Sequence, residues 1–221
     1  MYAYAANNPI KYTDPDGREC GYVLDVEGAH GMGHAGMFVK LDDGKYAFFE
    51  VIGISNEKNG IPSNATPGMS YKDIHGKDTT VLSNSQNSLP SPSMSTKLGF
   101  PENSGALLRI FEGKNDMEAY FHSAGFESGI EFDTTPQQDK VIYDAALSGG
   151  KNFSGYNLIT NSCGIFARNM LTTPGSGIRP YNPWLKFLTS GSVLKNIAEN
   201  AIPKTIMSDL KTGNRCAKRS Y

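Results

Sequence analysis

The sequence predicts an α+β protein in which a small antiparallel sheet packs against helices. Three observations carry that expectation. The stretch MFVKLDDGKYAFFEVIGI runs β-like into and out of an Asp-Asp-Gly turn, the pattern of a hairpin with glycine in the left-handed position. TTPQQDKVIYDAAL combines a threonine cap, a proline in the first turn and apolar residues at helical spacing. SCGIFARNML is a second apolar helical run that opens behind a polar Asn-Ser pair.

The chain has 221 residues, enough for one domain with appendages or at most two small ones. Hydrophobic residues make up 38% and there are 24 glycines, which reads as a loop-rich globular chain rather than a disordered one. The formal net charge of −1 provides no global field toward nucleic acid or an anionic membrane. The basic tail KTGNRCAKRS reads as a solvated patch. No apolar run is long enough to span a bilayer, and the N-terminus has neither the basic nor the apolar region of a secretory signal. Cys20, Cys163 and Cys216 are too few and too scattered for a disulfide scaffold or a zinc site. Cys20 and Cys216 could pair if the chain ends meet, which would leave Cys163 as the odd thiol.

Taken in order, residues 1–19 are rich in Tyr, Asn and Pro and close on the turn TDPDG, so they read as a linker to a working domain at 20–221. From Cys20 to Ile54 the pattern is β-like: YVLDV, then the glycine loop EGAHGMGHAG, then the hairpin. Residues 55–105 are rich in Ser, Asn, Gly and Pro, and 79–105 reads as a flap or a disordered insert. GALLRIFEG is a strand. NDMEAYFHSAG is a helix with an Asn or Asp cap and a terminal glycine. Thr135 caps the next helix, with Pro136 at its first position and Val141, Ile142, Ala145 and Ala146 on one face. The third helix covers roughly Ser162–Leu171. NPWLKFL and VLKNIAENAI read as helical packing pieces, with Trp184 a core anchor.

Chemistry centres on Cys163. A lone cysteine on a helix is structural by default. Here, however, Asn161 or Ser162 can cap the helix and place the thiol in its first turn, where N–H groups and the helix dipole favour thiolate. Of four histidines, His34 is the best-placed base, because it follows Gly33 at the start of a strand. His30, in the same glycine loop, is the second choice; His75 and His122 read as exposed or locally bonded. If Asp42, Asp43 and Gly44 form the turn, Gly36 lies opposite Glu50, and His34, Gly36 and Glu50 share one face. Glu50 is then diagonal to His34, about 7–8 Å away between backbones, within reach of long side chains. Ala35, Met37, Val39, Ala47, Phe49 and Val51 fall on the opposite, core face. Phe38 and Phe48 share the histidine face, as groove walls or as packing. HGMGH lacks the clustered carboxylates or cysteines of a metal site, and no Gly-Lys-Ser/Thr follows the glycines, so neither a metal nor a phosphate-binding loop is expected.

Two resemblances add to this reading. YAYAANNPIKYTDPDG resembles the segment that closes an Rhs-repeat core, after which a variable C-terminal toxin domain follows. GHAGMFVKLDDGKYAFFEV with YNLITNSCGIFARNML far downstream resembles the circularly permuted papain-like cysteine hydrolases, of the NlpC type and its lecithin:retinol-acyltransferase-like branch. In that opener Ser162 stands where a second Asn is common. The resemblance implies a permuted papain-like fold with Cys163 as nucleophile, His34 as base and Glu50 as orienting acceptor. It places Tyr156 or Asn161 by the oxyanion and implies no cofactor. The implied activity is a thiol hydrolase or acyltransferase, acting on amides of peptidoglycan peptides or proteins, or on a lipid acyl ester. The Rhs context implies delivery into a target cell by a specialised route, with a cognate immunity protein and the remainder of the Rhs polypeptide as partners. A nuclease toxin and a non-enzymatic binding module are the rival expectations.

Overall fold

A computed structural model describes residues 19–28, 33–53, 62, 64–86, 103–156, 161–179, 203–214 and 216–221. The Rhs-like segment, His30, residues 87–102 and the pieces around Trp184 lie outside the described residues. In chain order the elements are β1 (Glu19–Asp25), β2 (His34–Lys40), β3 (Tyr46–Gly53), β4 (Ser70–Lys72), β5 (Asp78–Val81), β6 (Ser85–Gln86), β7 (Asn103–Phe111), α1 (Lys114–Ala124), β8 (Ser128–Asp133), α2 (Pro136–Lys151), α3 (Cys163–Leu171), α4 (Pro203–Gly213) and β9 (Cys216–Ser220). The class is therefore mixed α and β. The strands form one antiparallel sheet in the order β4-β5-β7-β3-β2-β1-β8-β9, with β6 also paired to β7. With nine strands it is larger than the small sheet expected.

The β2–β3 hairpin has the anticipated geometry. Gly44 is left-handed at φ 84°, the Leu41 N–H donates to the Lys45 carbonyl at 2.8 Å, and Gly36 pairs with Glu50. A side chain at Gly44 would meet nothing, so its glycine serves backbone conformation alone. One sheet face buries Ala35, Met37, Val39, Ala47, Phe49 and Val51 in the main core beneath α2 and α3. The other face is also covered: Phe38, Phe48 and Phe111 pack against Met117, Tyr120 and Phe121 of α1. Phe38 and Phe48 are fully buried, so they are packing residues and not groove walls. Each ring occupies the place of a missing side chain. A Cβ on Gly36 would come within 2.3 Å of the Phe48 ring, and one on Gly21 within 2.4 Å of the Phe38 ring.

The helices start where local chemistry lets them. Thr135 and Gln138 form a reciprocal capping box at α2, with distances of 3.3 and 2.8 Å, and Pro136 takes the first helical position. Ser162 caps α3 by accepting from the Ile165 N–H at 3.4 Å. The α1 start differs from expectation: Gly113 stands at the cap with no side-chain cap bond, and Asp116 instead accepts the Glu112 N–H at 3.1 Å. Its C-terminal Gly125 is left-handed, as anticipated.

Three further expectations are corrected. The stretch 79–105 is not a loop throughout, because β5, β6 and the start of β7 fall within it. The basic tail is not a solvated patch alone, because it contributes β9, which pairs with β8. Finally, β1 and β9 both pair with β8, but Cys20 and Cys216 register with Phe132 from its opposite sides. Two strand spacings separate them by about 9–10 Å, beyond the ~7 Å a disulfide can bridge, and Cys20 is a buried free thiol. Among the described residues no helix is long and apolar enough to cross a membrane.

Candidate active site

The site lies where β2 begins. Gly33, left-handed at φ 84°, donates its N–H to the Gly28 carbonyl at 2.9 Å and so closes the glycine loop immediately before His34. Asp25, paired with His34 across the strands, fastens the same loop by accepting the N–H groups of Glu27 and Gly28 at 3.0 and 2.8 Å. The imidazole is delivered at the sheet end, its side chain only 19% exposed. Its Nε2 lies 2.9 Å from Oε2 of Glu50, the diagonal contact the hairpin register anticipates. Phe126 packs beside the ring at 5.8 Å between centroids.

Cys163 is the first residue of α3, buried at 3% exposure. α3 packs on β1, β2 and β3, which brings the thiol to the His34 side chain. Because Nε2 is engaged by Glu50, Nδ1 is the ring nitrogen that can face the sulfur. The backbone N–H groups of Ala35 and Gly164 also donate to it. Tyr156 completes the surround, with its hydroxyl in hydrogen-bond contact with the Cys163 side chain and backbone N–H. Asn161 does not join them: its Nδ2 donates to the carbonyls of Ser154 and Gly155 at 3.3 and 2.6 Å, leaving no amide hydrogen for an oxyanion. It stitches the loop that carries Tyr156. His75 packs edge-on against Tyr120 and His122 is exposed on α1, so neither belongs to the site.

The electrostatics favour a charged pair. Burial pushes the Cys163 thiol up, but the imidazolium of His34 and the N–H groups of Ala35 and Gly164 outweigh it and hold the pKa below the ordinary thiol value. Burial pulls His34 down, yet Cys163 and Glu50 raise it to about 10. Burial opposes ionisation of Glu50 as well, and Arg109 and His34 still bring it down to about 2. All three shifts run toward the charged forms: thiolate, imidazolium and carboxylate.

Arg109 was not singled out from the sequence. Its guanidinium, buried on the Glu50 side of β7, bonds Oε1 of Glu50 through Nη1 and Oδ2 of Asp73 through Nε, the latter at 2.7 Å. Asp73, in the β4–β5 turn, is itself held by the N–H groups of His75 and Lys77 at 3.0 and 2.9 Å and by the hydroxyls of Tyr120 and Thr79 at 3.2 and 3.3 Å. The Tyr120 ring lies 5.1 Å from the guanidinium carbon. Arg109 was legible in principle, as the lone charge inside ALLRIF, by the same reasoning that picks out Glu50 between Phe49 and Val51. Asp73 carries no such signal in YKDIHGK. Tyr22 was also missed; its hydroxyl donates to the Pro203 carbonyl at 3.1 Å and neighbours Cys163. Gly164 allows that approach, since a Cβ there would sit 3.1 Å from the Tyr22 hydroxyl and 2.9 Å from Ile206.

A stability profile follows from the paired shifts. Wherever the folded pair is thiolate and imidazolium, the unfolded chain below the ordinary His value of 6.5 carries one more proton, so the pair makes stability rise with pH toward 6.5. Between 6.5 and the ordinary thiol value of 9.0 the proton counts match and the profile is flat; above 9.0 the unfolded chain loses its thiol proton and stability falls until His34 titrates near 10. In Cys163→Ala the thiol no longer titrates and His34 keeps Glu50 alone as a raising partner, so the alkaline decline is expected to begin at 6.5 instead of 9.0 and to end below pH 10. Thermal melts of both proteins from pH 5 to 10 check this; an identical onset would mean that no ion pair forms.

Among the described residues no three His, Cys, Asp or Glu side chains come together as a metal-binding group. No protein-family model matches the chain, and searches of curated proteins and of solved structures return no significant match.

Proposed function

We propose that the protein is a cysteine-dependent acyl-transfer enzyme, a thiol hydrolase or acyltransferase, built on a permuted papain-like arrangement. The observation that supports it is the line Cys163–His34–Glu50, in which a buried thiol at a helix start meets a base already oriented by an ionised carboxylate. A buried structural cysteine has no need of such partners. The Cys163 thiolate attacks the substrate carbonyl carbon and pushes its electrons onto the oxygen. That oxyanion takes the Cys163 N–H, with the Tyr156 hydroxyl as a second donor in place of their mutual contact. His34 passes its Nδ1 proton to the departing amine or alcohol as the C–N or C–O bond breaks, leaving a thioester. Water or another acceptor then gives a proton to His34, attacks the thioester and releases the thiolate. Glu50 stabilises the imidazolium at each stage and accepts no proton.

The Rhs-like N-terminal segment gives this chemistry a setting: a toxin domain delivered into a competing or host cell, acting on amide bonds of peptidoglycan peptides or proteins and restrained by an immunity protein. Iodoacetamide at pH 6 is expected to label native protein at Cys163 and to spare Cys20, which is buried and whose thiol pKa is pushed up by its burial. Expression of wild type and Cys163→Ala in cytoplasm and periplasm should show toxicity only for wild type. Lysis and peptidoglycan fragments on periplasmic expression alone would mark the wall as target. Toxicity that survives Cys163→Ala would defeat the reading and favour a nuclease.

A further inference from the structure

The part of the site that the Cys-His-Glu mechanism leaves unused is the buried pair behind Glu50. A lone arginine inside a strand is costly to bury unless every donor direction in use is answered. Arg109 is 3% exposed and its fork spans two carboxylates: Nη1 on Glu50 and Nε on Asp73. Asp73 in turn has both oxygens occupied, Oδ1 by two turn N–H groups and Oδ2 by Arg109, Tyr120 and Thr79. Its position is thus fixed by the β4–β5 turn, by β5 and by α1 together. The consequence reaches Glu50. With Oε1 on the guanidinium and Oε2 on His34, the carboxylate has one orientation that satisfies both partners.

We propose that Arg109 and Asp73 act as positioning residues, a relay that holds the Glu50 carboxylate ionised and turned toward His34 and thereby sets the pH range over which Cys163 is a thiolate. The inference rests on the ion-pair reading of the site but assigns to it two residues from outside the triad. The titratable and charged groups facing Glu50 are His34 from β2, Arg109 from β7, Asp73 from the β4–β5 turn, Tyr71 from β4 and Tyr120 from α1. Both tyrosines are kept neutral, their pKa raised by burial and by the carboxylates, so among the described residues Arg109 is the cation apart from His34 that holds Glu50 ionised. Lysine could supply the charge but not the fork, because one ammonium cannot reproduce two directed N–H contacts fixed by a plane.

The test is the pH dependence of Cys163 alkylation by iodoacetamide, read as the midpoint of the acidic limb, which needs no knowledge of the substrate. Arg109→Met alone would leave two buried carboxylates facing each other, so the decisive protein is Asp73→Asn/Arg109→Met, which removes a cation and an anion together. Its midpoint is expected to rise by about one unit or more, the scale on which a neighbouring arginine moves a carboxylate. That corresponds to at least a roughly tenfold smaller thiolate fraction on the limb. Arg109→Lys should recover part of the shift. A merely structural arginine would lower the denaturation midpoint and leave the limb unmoved. A folded double variant with the wild-type midpoint therefore overturns the relay while leaving the ion pair intact. A wild-type midpoint at the ordinary thiol value would instead sink the ion pair and the relay with it.

Discussion

His34→Ala is expected to raise the midpoint of Cys163 alkylation to at or above ~8.5, the value of an ordinary thiol. Cysteines paired with an imidazolium or placed at helix starts commonly titrate between about 3.5 and 7.5, so the shift should be readily measured. The direction follows from the balance at the sulfur: burial raises its pKa, and the largest opposing influence is His34. With the imidazole gone, the N–H groups of Ala35 and Gly164 remain but face burial without help. On the proposed mechanism His34 is the general base, and its loss should also slow acyl transfer by about 10²–10⁴-fold. A midpoint unmoved in His34→Ala would show that the helix start alone holds the thiolate.

Arg109→Ala is expected to cost about 3–5 kcal/mol of folding stability, the range for removing one member of a buried ionic group. The change strands Glu50 and Asp73, both nearly inaccessible, on either side of the vacated position. Urea unfolding at pH 7 would read it as a lower midpoint with an unchanged slope. Lowering the pH toward 5 should recover part of the loss in the variant, because a carboxylate without its cation takes up a proton at higher pH. A cost below about 1 kcal/mol, typical of an exposed pair, would mean that water reaches both carboxylates.

How much of this was legible varies with the kind of signal. The β2–β3 hairpin could be read to the residue because Asp-Asp-Gly admits one turn, and the register then carries Glu50 to His34. The capping box of α2 was legible for the same reason: its partners lie three residues apart. The strands that escaped notice lack local signals. Ser128–Asp133 is six residues interrupted by Glu131, and Cys216–Ser220 has the composition of a solvated tail. Their strand character comes from pairing with β1 and with each other. The second core was missed likewise, because nothing local says that α1 will cover Phe38 and Phe48. In the site, Cys163, His34, Glu50 and Tyr156 were within reach of local pattern and resemblance. Asp73 was not, since its role exists only once a short polar turn is folded beside β7.

The order of parts along the chain has a kinetic meaning. The base, its carboxylate and the arginine behind it belong to strands complete by Phe111, whereas the sulfur arrives at residue 163 and is closed in by α4 from Pro203 onward. A chain emerging from the ribosome thus carries its base and carboxylate well before its sulfur, while Tyr120 and Phe126, which pack around them, come in between. On the proposed mechanism, chemistry requires the late helix to dock on the early sheet. On the same reading, a ligand that held α3 away from β2 would separate Cys163 from His34 without touching either side chain.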